Sequence, residues 1–293
     1  MIKIAFLSSW GDNSETLLDK YRVQTPNGNG IWDNLIGVSD LKNADFYVVM
    51  GSESVSKILD LIEKNRLDTN KIILFQREHL VSEKREYSIP VFKHFTYDNS
   101  YTMAVWWIDK PFDCLCDLPF NEKKNSASII MSSKNFCKGH DDRLKFLKRF
   151  DLKYPGLIHI YGRGLGSYDL SSSYKGEIEG KCKFNGLYKY DYSLACENTC
   201  MKNYMSEKLY DCFLSWCLPV YYGCQNLDDY FPEESFIYLD INKSESVDIM
   251  YEKIQQKTNE KTISLIKEAR NLVLYKYNIW PSVKRVIETG KMI

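Results

Sequence analysis

The sequence predicts an α/β protein made of two Rossmann-like, doubly wound domains. Short apolar runs of strand length, at 1–9, 45–50 and 71–75, alternate with helical spacing at Val55, Ile58, Leu59 and Ile62. The same alternation resumes at 128–131 and 157–161 and continues through 185–239. Between the two series, PFNEKKNSA (119–127) passes from proline to charge to small polar residues and reads as a linker. The domains are therefore expected at 1–122 and 123–293, and a chain of 293 residues has room for both.

The first run, 1–9, ends in Ser-Ser-Trp-Gly, and 24–30 (QTPNGNG) must be irregular because it is all turn-forming. Ser52 is placed to cap a helix reaching Lys64. The run 71–75 leads into Gln76-Arg77-Glu78-His79. In open α/β sheets ligands bind at the carboxyl ends of the strands, so a carboxylate at Glu78 could take a proton from a reacting hydroxyl there. The competing reading is a solvated loop in which Glu78 pairs with Arg77 or Arg85, and His79 is an alternative base. Trp106 and Trp107, in the aromatic segment 92–108, either pack internally or stack on a sugar ring.

In the second half, the strand 128–131 precedes a polar loop at 132–135 and a helix over 140–150 with Arg143 in its first turn. Arg143 reads either as an anion ligand or as one more exposed helical cation beside Lys145, Lys148 and Arg149. Lys134 is another candidate. The strand 157–161 runs into Gly162-Arg163-Gly164-Leu165-Gly166, glycines that let backbone amides approach a phosphate, although neither the spacing nor a following helix fits a dinucleotide fingerprint. Residues 167–184 read as a polar mobile loop, and Arg163 has no assigned role.

The densest stretch is 185–239. Leu194, Ala195 and Cys196 end an apolar run, the pair Glu197-Asn198 follows, and after a polar loop Ser206-Glu207-Lys208 opens a helix with apolar Leu209, Phe213, Leu214 and Cys217. Free N–H groups at a helix start attract an anion, Lys208 adds a full charge, and Glu207 can accept from sugar hydroxyls. The same three residues also read as an ordinary capped, solvated first turn. Beyond 240, two amphipathic helices are expected over 244–256 and 260–274, the last crossing back to the first domain.

Several separated blocks occur here in one order: Tyr188-Lys189-Tyr190, Leu-Ala-Cys-Glu-Asn at 194–198, Tyr204 followed by Ser206-Glu207-Lys208, and Pro219-Val220-Tyr221-Tyr222-Gly223. Together they resemble the donor-site signature of the family 10 glycosyltransferases, the α-1,3/4-fucosyltransferases. The resemblance implies a GT-B fold, two Rossmann-like domains facing a cleft, and inverting transfer of fucose from GDP-fucose to an oligosaccharide hydroxyl. It implies Glu78 as catalytic base and Arg143, Glu197, Asn198, Tyr204, Glu207 and Lys208 as donor-binding residues. Trp216 departs from the family pattern, which often has glycine there, and a bulky ring at that point is expected to reshape the pocket floor.

Composition narrows the alternatives. Basic and acidic residues balance at 39 each, which removes the electrostatic case for a nucleic-acid partner. The adjacent pairs Asp141-Asp142 and Asp228-Asp229 are not the spaced carboxylates of a metal–diphosphate clamp, so no metal or other cofactor is expected. Nine cysteines without zinc spacing point to reduced thiols. The apolar run 2–7 is far below the ~20 residues that span a bilayer. With no transmembrane segment, Golgi anchor or stem in view, a cytoplasmic protein of bacterial or viral type is expected. Two other functions remain open: the same fold with a different nucleotide sugar, and a non-catalytic glycan- or nucleotide-binding module. A dinucleotide oxidoreductase is disfavoured, since no G-x-G-x-x-G opens a helix.

Overall fold

The computed structural model describes residues 1–51, 54–77, 89–100, 103–123, 125–170, 172–178 and 182–292. The chain divides into two compact units. The first contains Met1–Val105, Pro111–Asp117 and Leu274–Ile293, and the second Trp106–Lys110 and Leu118–Val273. The main division thus falls at Asp117, ahead of the expected 122, and the last twenty residues, expected in the second domain, belong to the first unit.

The first unit opens with β1 (Ile2–Ser8), followed by α1 (Ser14–Arg22), the short strands β2 (Ile31–Trp32) and β3 (Leu35–Gly37), β4 (Phe46–Gly51), α2 (Val55–Lys64), β5 (Ile72–Gln76), β6 (Lys93–Phe95) and α3 (Phe112–Cys116). The sheet order is β2-β3-β1-β4-β5-β6, with only β2 antiparallel. Strands covered on both faces read as unbroken apolar runs; Ile4, Ala5, Phe6, Val48, Val49, Ile73 and Leu74 are fully buried. Ser54, not Ser52, caps α2 by accepting from the Lys57 amide, and Ser52 lies outside the described residues.

The second unit contains β7 (Asn125–Ile130), α4 (Lys138–Lys153), β8 (His159–Tyr161), β9 (Tyr190–Cys196), α5 (Glu207–Leu214), β10 (Leu218–Tyr222), β11 (Ile237–Tyr238), α6 (Ser246–Ile254) and α7 (Glu260–Asn271). All of its strands are parallel, in the order β11-β10-β9-β7-β8. Counting parallel strands only, both units have the order second, first, third, fourth, fifth. The expected loop 167–184 is, in its described part, tied to β8: the Ile160 amide donates to the Ser173 carbonyl at 2.9 Å and the Lys175 amide to Ile160 at 2.8 Å.

The return to the first unit is made by α8 (Ile279–Thr289), not by the helix expected over 260–274. Asn278 caps α8 by accepting from the Trp280 amide, and Pro281 sits in the first turn, where an N–H has no helical partner to lose. Trp280 is fully buried, lies edge-on to Phe6 at 5.3 Å and donates its indole N–H to the Tyr21 carbonyl at 2.9 Å. Gly37 leaves room for it: a Cβ there would stand 2.9 Å from the indole ring. Trp280→Ala should destabilise the protein by about 3–5 kcal/mol, the usual cost of emptying a large aromatic site. Urea unfolding measures it, and a loss below about 1 kcal/mol would show that α8 is not part of this core.

Candidate functional site

In the second unit the sheet order reverses between β7, which continues outward to β8, and β9, which continues outward to β10 and β11. A crevice forms where connections leave two neighbouring parallel strands in opposite directions. The chain segments leaving β7 and β9 carry the residues of interest. After β7, the Met131 amide donates to the Tyr161 carbonyl and the Ser133 amide to Arg163, both at 3.0 Å. Gly162, at φ +140°, is required by this pairing, because a Cβ would stand 1.5 Å from the Met131 carbonyl oxygen. The glycine therefore serves loop-to-loop contact, which differs from the phosphate approach expected for it.

Glu197 follows β9 and is fully buried. Its Oε1 accepts from the Ser206 amide at 2.7 Å, and its Oε2 accepts from the Ser206 hydroxyl at 2.6 Å and the Lys208 ammonium at 3.3 Å. The Tyr221 hydroxyl, 3.4 Å from Oε1, closes the cluster from β10. Ser206 is the N-cap of α5. Glu197 thus reaches the site through Ser206 and Lys208, not through its own surface. Burial alone would lower the Lys208 ammonium, but the Glu207 and Glu197 carboxylates outweigh burial and hold it above the ordinary lysine value.

Arg143 comes from α4 and is 5% exposed. Its Nη1 donates to the Asn198 side-chain oxygen at 3.2 Å, its buried Nε has no hydrogen-bond partner, and among the described residues it makes no ion pair. Burial pulls its guanidinium below the ordinary value. The Glu197 and Glu207 carboxylates offset part of this cost from further off, but the hydrogen-bond partner itself is a neutral amide, and an anion in direct contact would complete the set. Beside it, burial and then the Arg143, Lys208 and Lys134 charges hold His140 down at about 4, so the local field is positive. Gly139 packs α4 onto this corner: a Cβ would stand 1.9 Å from the Asn198 carbonyl oxygen.

Two residues that sequence reading passed over complete the site. Lys183 bonds Asp211 at 3.2 Å and lies 3.7 Å from Glu207. Asp211, buried in the second turn of α5, also accepts from the Trp107 amide at 2.9 Å. Arg143, Lys183, Lys208 and Asp211 line one small cavity of about 30 Å³ with Ser193 and Cys196 of β9, enough for a water molecule. The Ser-Glu-Lys turn is thus not merely a solvated first turn, since Lys208 faces this cavity and is held by a buried carboxylate.

The other sequence candidates distribute differently. Tyr204 is buried and gives its carbonyl to the Tyr221 hydroxyl at 3.2 Å. Lys208 lines the cavity and lies 3.5 Å from Glu207, while Asn198 is tied to the cavity residue Arg143. Lys134 and Arg163 are exposed. Glu78 and His79, the two base candidates, lie outside the described residues. Trp216 does not form a pocket floor: it follows α5 at the end opposite Lys208, roughly 12 Å away along an eight-residue helix. Its φ of +57° is the left-handed conformation that glycine adopts freely. Its ring lies 4.4 Å from the Arg270 guanidinium, and its N–H donates to the Leu118 carbonyl at 2.9 Å.

Two doubly wound units of one strand order are the domain architecture of the GT-B fold. The T4 phage beta-glucosyltransferase structure shares this fold, with a TM-score of 0.52 at 11% identity, covering 97% of this chain and 98% of that one. Residues 120–264 match the sequence pattern of Glycosyltransferase family 10 (fucosyltransferase), C-terminal part, and this portion of the chain belongs to that family. The bovine 4-galactosyl-N-acetylglucosaminide 3-alpha-L-fucosyltransferase 9 is 31% identical over 127 residues, 43% of this chain and 33% of that enzyme. The Arabidopsis thaliana alpha-(1,4)-fucosyltransferase is 40% identical over 126 residues, 39% of this chain and 30% of that enzyme. The match thus spans about a third of the length of the curated relatives.

Burial, opposed by Lys183 and the Trp107 amide, pushes the Asp211 carboxyl up from 3.8 to about 6. The native state therefore holds this proton more tightly than the unfolded chain. The associated stability is full below about pH 3.8 and is lost as pH rises through about 6. Relative to Asp211→Asn, which keeps the acceptor for Trp107, the parent should lose about 2 kcal/mol between pH 4 and pH 7, most of it by pH 6. Urea unfolding at stepped pH reads this difference, and a pH-independent offset would show that Asp211 does not titrate in that window.

Proposed function

We propose that the chain is an inverting fucosyltransferase that moves fucose from GDP-fucose to a hydroxyl of an oligosaccharide acceptor without a required metal. The observation that carries this reading is Arg143, a buried guanidinium with a neutral partner, set beside Lys208 and the start of α5 within a family 10 segment. A diphosphate supplies an anion in direct contact with the guanidinium, where Glu197 and Glu207 act only from a distance.

In this reading Arg143 and Lys208 bind the leaving diphosphate, and the free amides at the start of α5 add their partial charges. Fixed cations aimed at charge that grows as the glycosyl bond breaks are worth several kcal/mol, on the scale of about 2.7–4 kcal/mol for one oxyanion-hole donor. They do the neutralising work that a divalent ion does in metal-dependent transferases. Glu207 accepts from the ribose hydroxyls, and Asn198 holds Arg143 in place. Glu197 and Tyr204 act from beneath, by fixing Ser206, Lys208 and Tyr221. Glu78 takes the acceptor proton as the acceptor oxygen attacks the anomeric carbon, the bond to the diphosphate breaks, and GDP leaves with the electron pair. Attack opposite the leaving group inverts the configuration. Nine free cysteines suit a reducing cytoplasmic setting, and among the described residues no helix is long and apolar enough to cross a membrane.

A thermal-shift series with GDP, GDP-fucose, GDP-mannose, UDP and UDP-sugars, with and without EDTA, tests the donor. GDP compounds at a hundred times their dissociation constant should stabilise the protein by about 2.7 kcal/mol, unaffected by EDTA. A shift confined to UDP compounds would overturn the donor assignment, and one abolished by EDTA the metal independence. Arg143→Ala should weaken GDP by roughly 10–100-fold, the value of a charge-assisted pair. Glu78→Gln should keep the GDP shift while transfer falls by about 10²–10⁴-fold; unchanged transfer would remove Glu78 as the base.

A further inference from the structure

We propose that the first unit carries a separate saccharide-binding groove, remote from the carboxyl edge of its sheet, that takes a neutral pyranose of an oligosaccharide. The groove has a volume of about 490 Å³, within the roughly 300–1,000 Å³ range of small-molecule sites. Trp32 of β2 pairs with Leu35, and Leu35 with Ile2, the first residue of β1. The groove therefore lies at the amino-terminal edge of the sheet. Ser8 and Gln76, which end β1 and β5, lie at the other edge, where doubly wound sheets ordinarily bind substrates.

Its floor is aromatic. Phe112, buried at the start of α3, is edge-on to Trp32 at 5.5 Å and edge-on to Tyr275 at 5.5 Å. It props up two flanking rings, of which Trp32 is half-buried and Tyr275 is 52% exposed. An exposed aromatic face desolvates cheaply against the C–H face of a pyranose, while the polar edge of the sugar needs donors and acceptors around it. The rim supplies both. Lys284 bonds Asp33 at 2.9 Å and lies 3.7 Å from Glu288, and Arg285 donates to the Met292 carbonyl at 2.7 Å. Two cations and two carboxylates leave no net charge, which suits a neutral polyol and disfavours a phosphate or a nucleic-acid backbone.

The backbone around the groove is held in uncommon geometry on both sides. Asp33 is left-handed at φ +52° as the first residue of the two-residue turn joining the paired Trp32 and Leu35, a position that calls for such a φ and that Asp tolerates. Tyr275 lies in a π-helical turn, Leu272–Tyr277, a form frequent at functional sites. These two turns fix where the rim carboxylate and the floor aromatic stand.

Saturation-transfer NMR on the full chain, without nucleotide, with N-acetyllactosamine, maltotriose and chitotriose at millimolar concentration tests the proposal. At least one probe should receive saturation on its ring protons. Tyr275→Ala, at an exposed position with little core to lose, and Trp32→Ala should each weaken binding at least 10-fold, with Trp32→Phe recovering most of it. Lys208→Ala should bind saccharide as the parent does while losing its response to GDP, so this site and the donor site are read separately. No saturation of any probe, or saturation that survives both alanine variants, overturns the proposal.

Discussion

A carboxylate with no access to water must find partners for both oxygens or stay protonated, and Glu197 has found them in three elements. Ser206 gives it an amide and a hydroxyl, Lys208 an ammonium, and Tyr221 stands close by from β10. The fit leaves no slack: at Gly223 a Cβ would stand 2.4 Å from the Glu197 side chain. Its neighbour Asn198 does the corresponding work on the other side. Its side chain accepts from Arg143, and its carbonyl lies against Gly139 at the start of α4. Two consecutive residues leaving β9 therefore set the position of one cation on each of two helices. Removing one member of such a buried set leaves the others uncompensated, a loss of about 3–5 kcal/mol in comparable ion pairs.

The units share a strand order but invest their charge differently. In the second unit, buried ionisable groups gather at the switch point, with Arg143, Glu197, Asp211 and His140 all nearly inaccessible. In the first, the described switch-point strands are almost purely apolar, and the charged residues of the amino-edge groove are accessible. Buried charge is costly to fold but keeps a fixed orientation in a low dielectric. Surface charge over an aromatic floor costs little and adapts to differing hydroxyl patterns. One arrangement suits a phosphate of constant shape, the other a variable glycan.

The sequence was most legible where function depends on short-range order. The β9–loop–α5 stretch keeps strand, cap and cation within a few positions, and the helix start at Ser206-Glu207-Lys208 could be read from spacing. What spacing could not supply was direction. Glu197 and Tyr204 point into the protein, where Tyr221, seventeen or more residues on, bonds both. Lys183 and Asp211 become neighbours only through the fold, with no motif to mark them. Trp216 was misread because side-chain volume was visible and φ was not. In the first unit, β4 and β5 announced themselves in continuous apolar runs. By contrast α1 buries only Leu17 and Tyr21 among charged residues, and the proline in α8 disguised a helix start.

Because α8 completes the core around Phe6 and Tyr21, the first unit is discontinuous in sequence, with the second inserted into it. During synthesis this reverses the expected order. Ribosomes release chain at about 5–20 residues per second, amino end first, so β1 emerges early and waits for Trp280 until more than 270 further residues have been made. The inserted unit ends at Val273, so all of its strands are released before Trp280. The apolar face of β1 is meanwhile a natural client for a holdase chaperone, and nonsense mutations late in the message would leave a folded insert carried on an unfinished host.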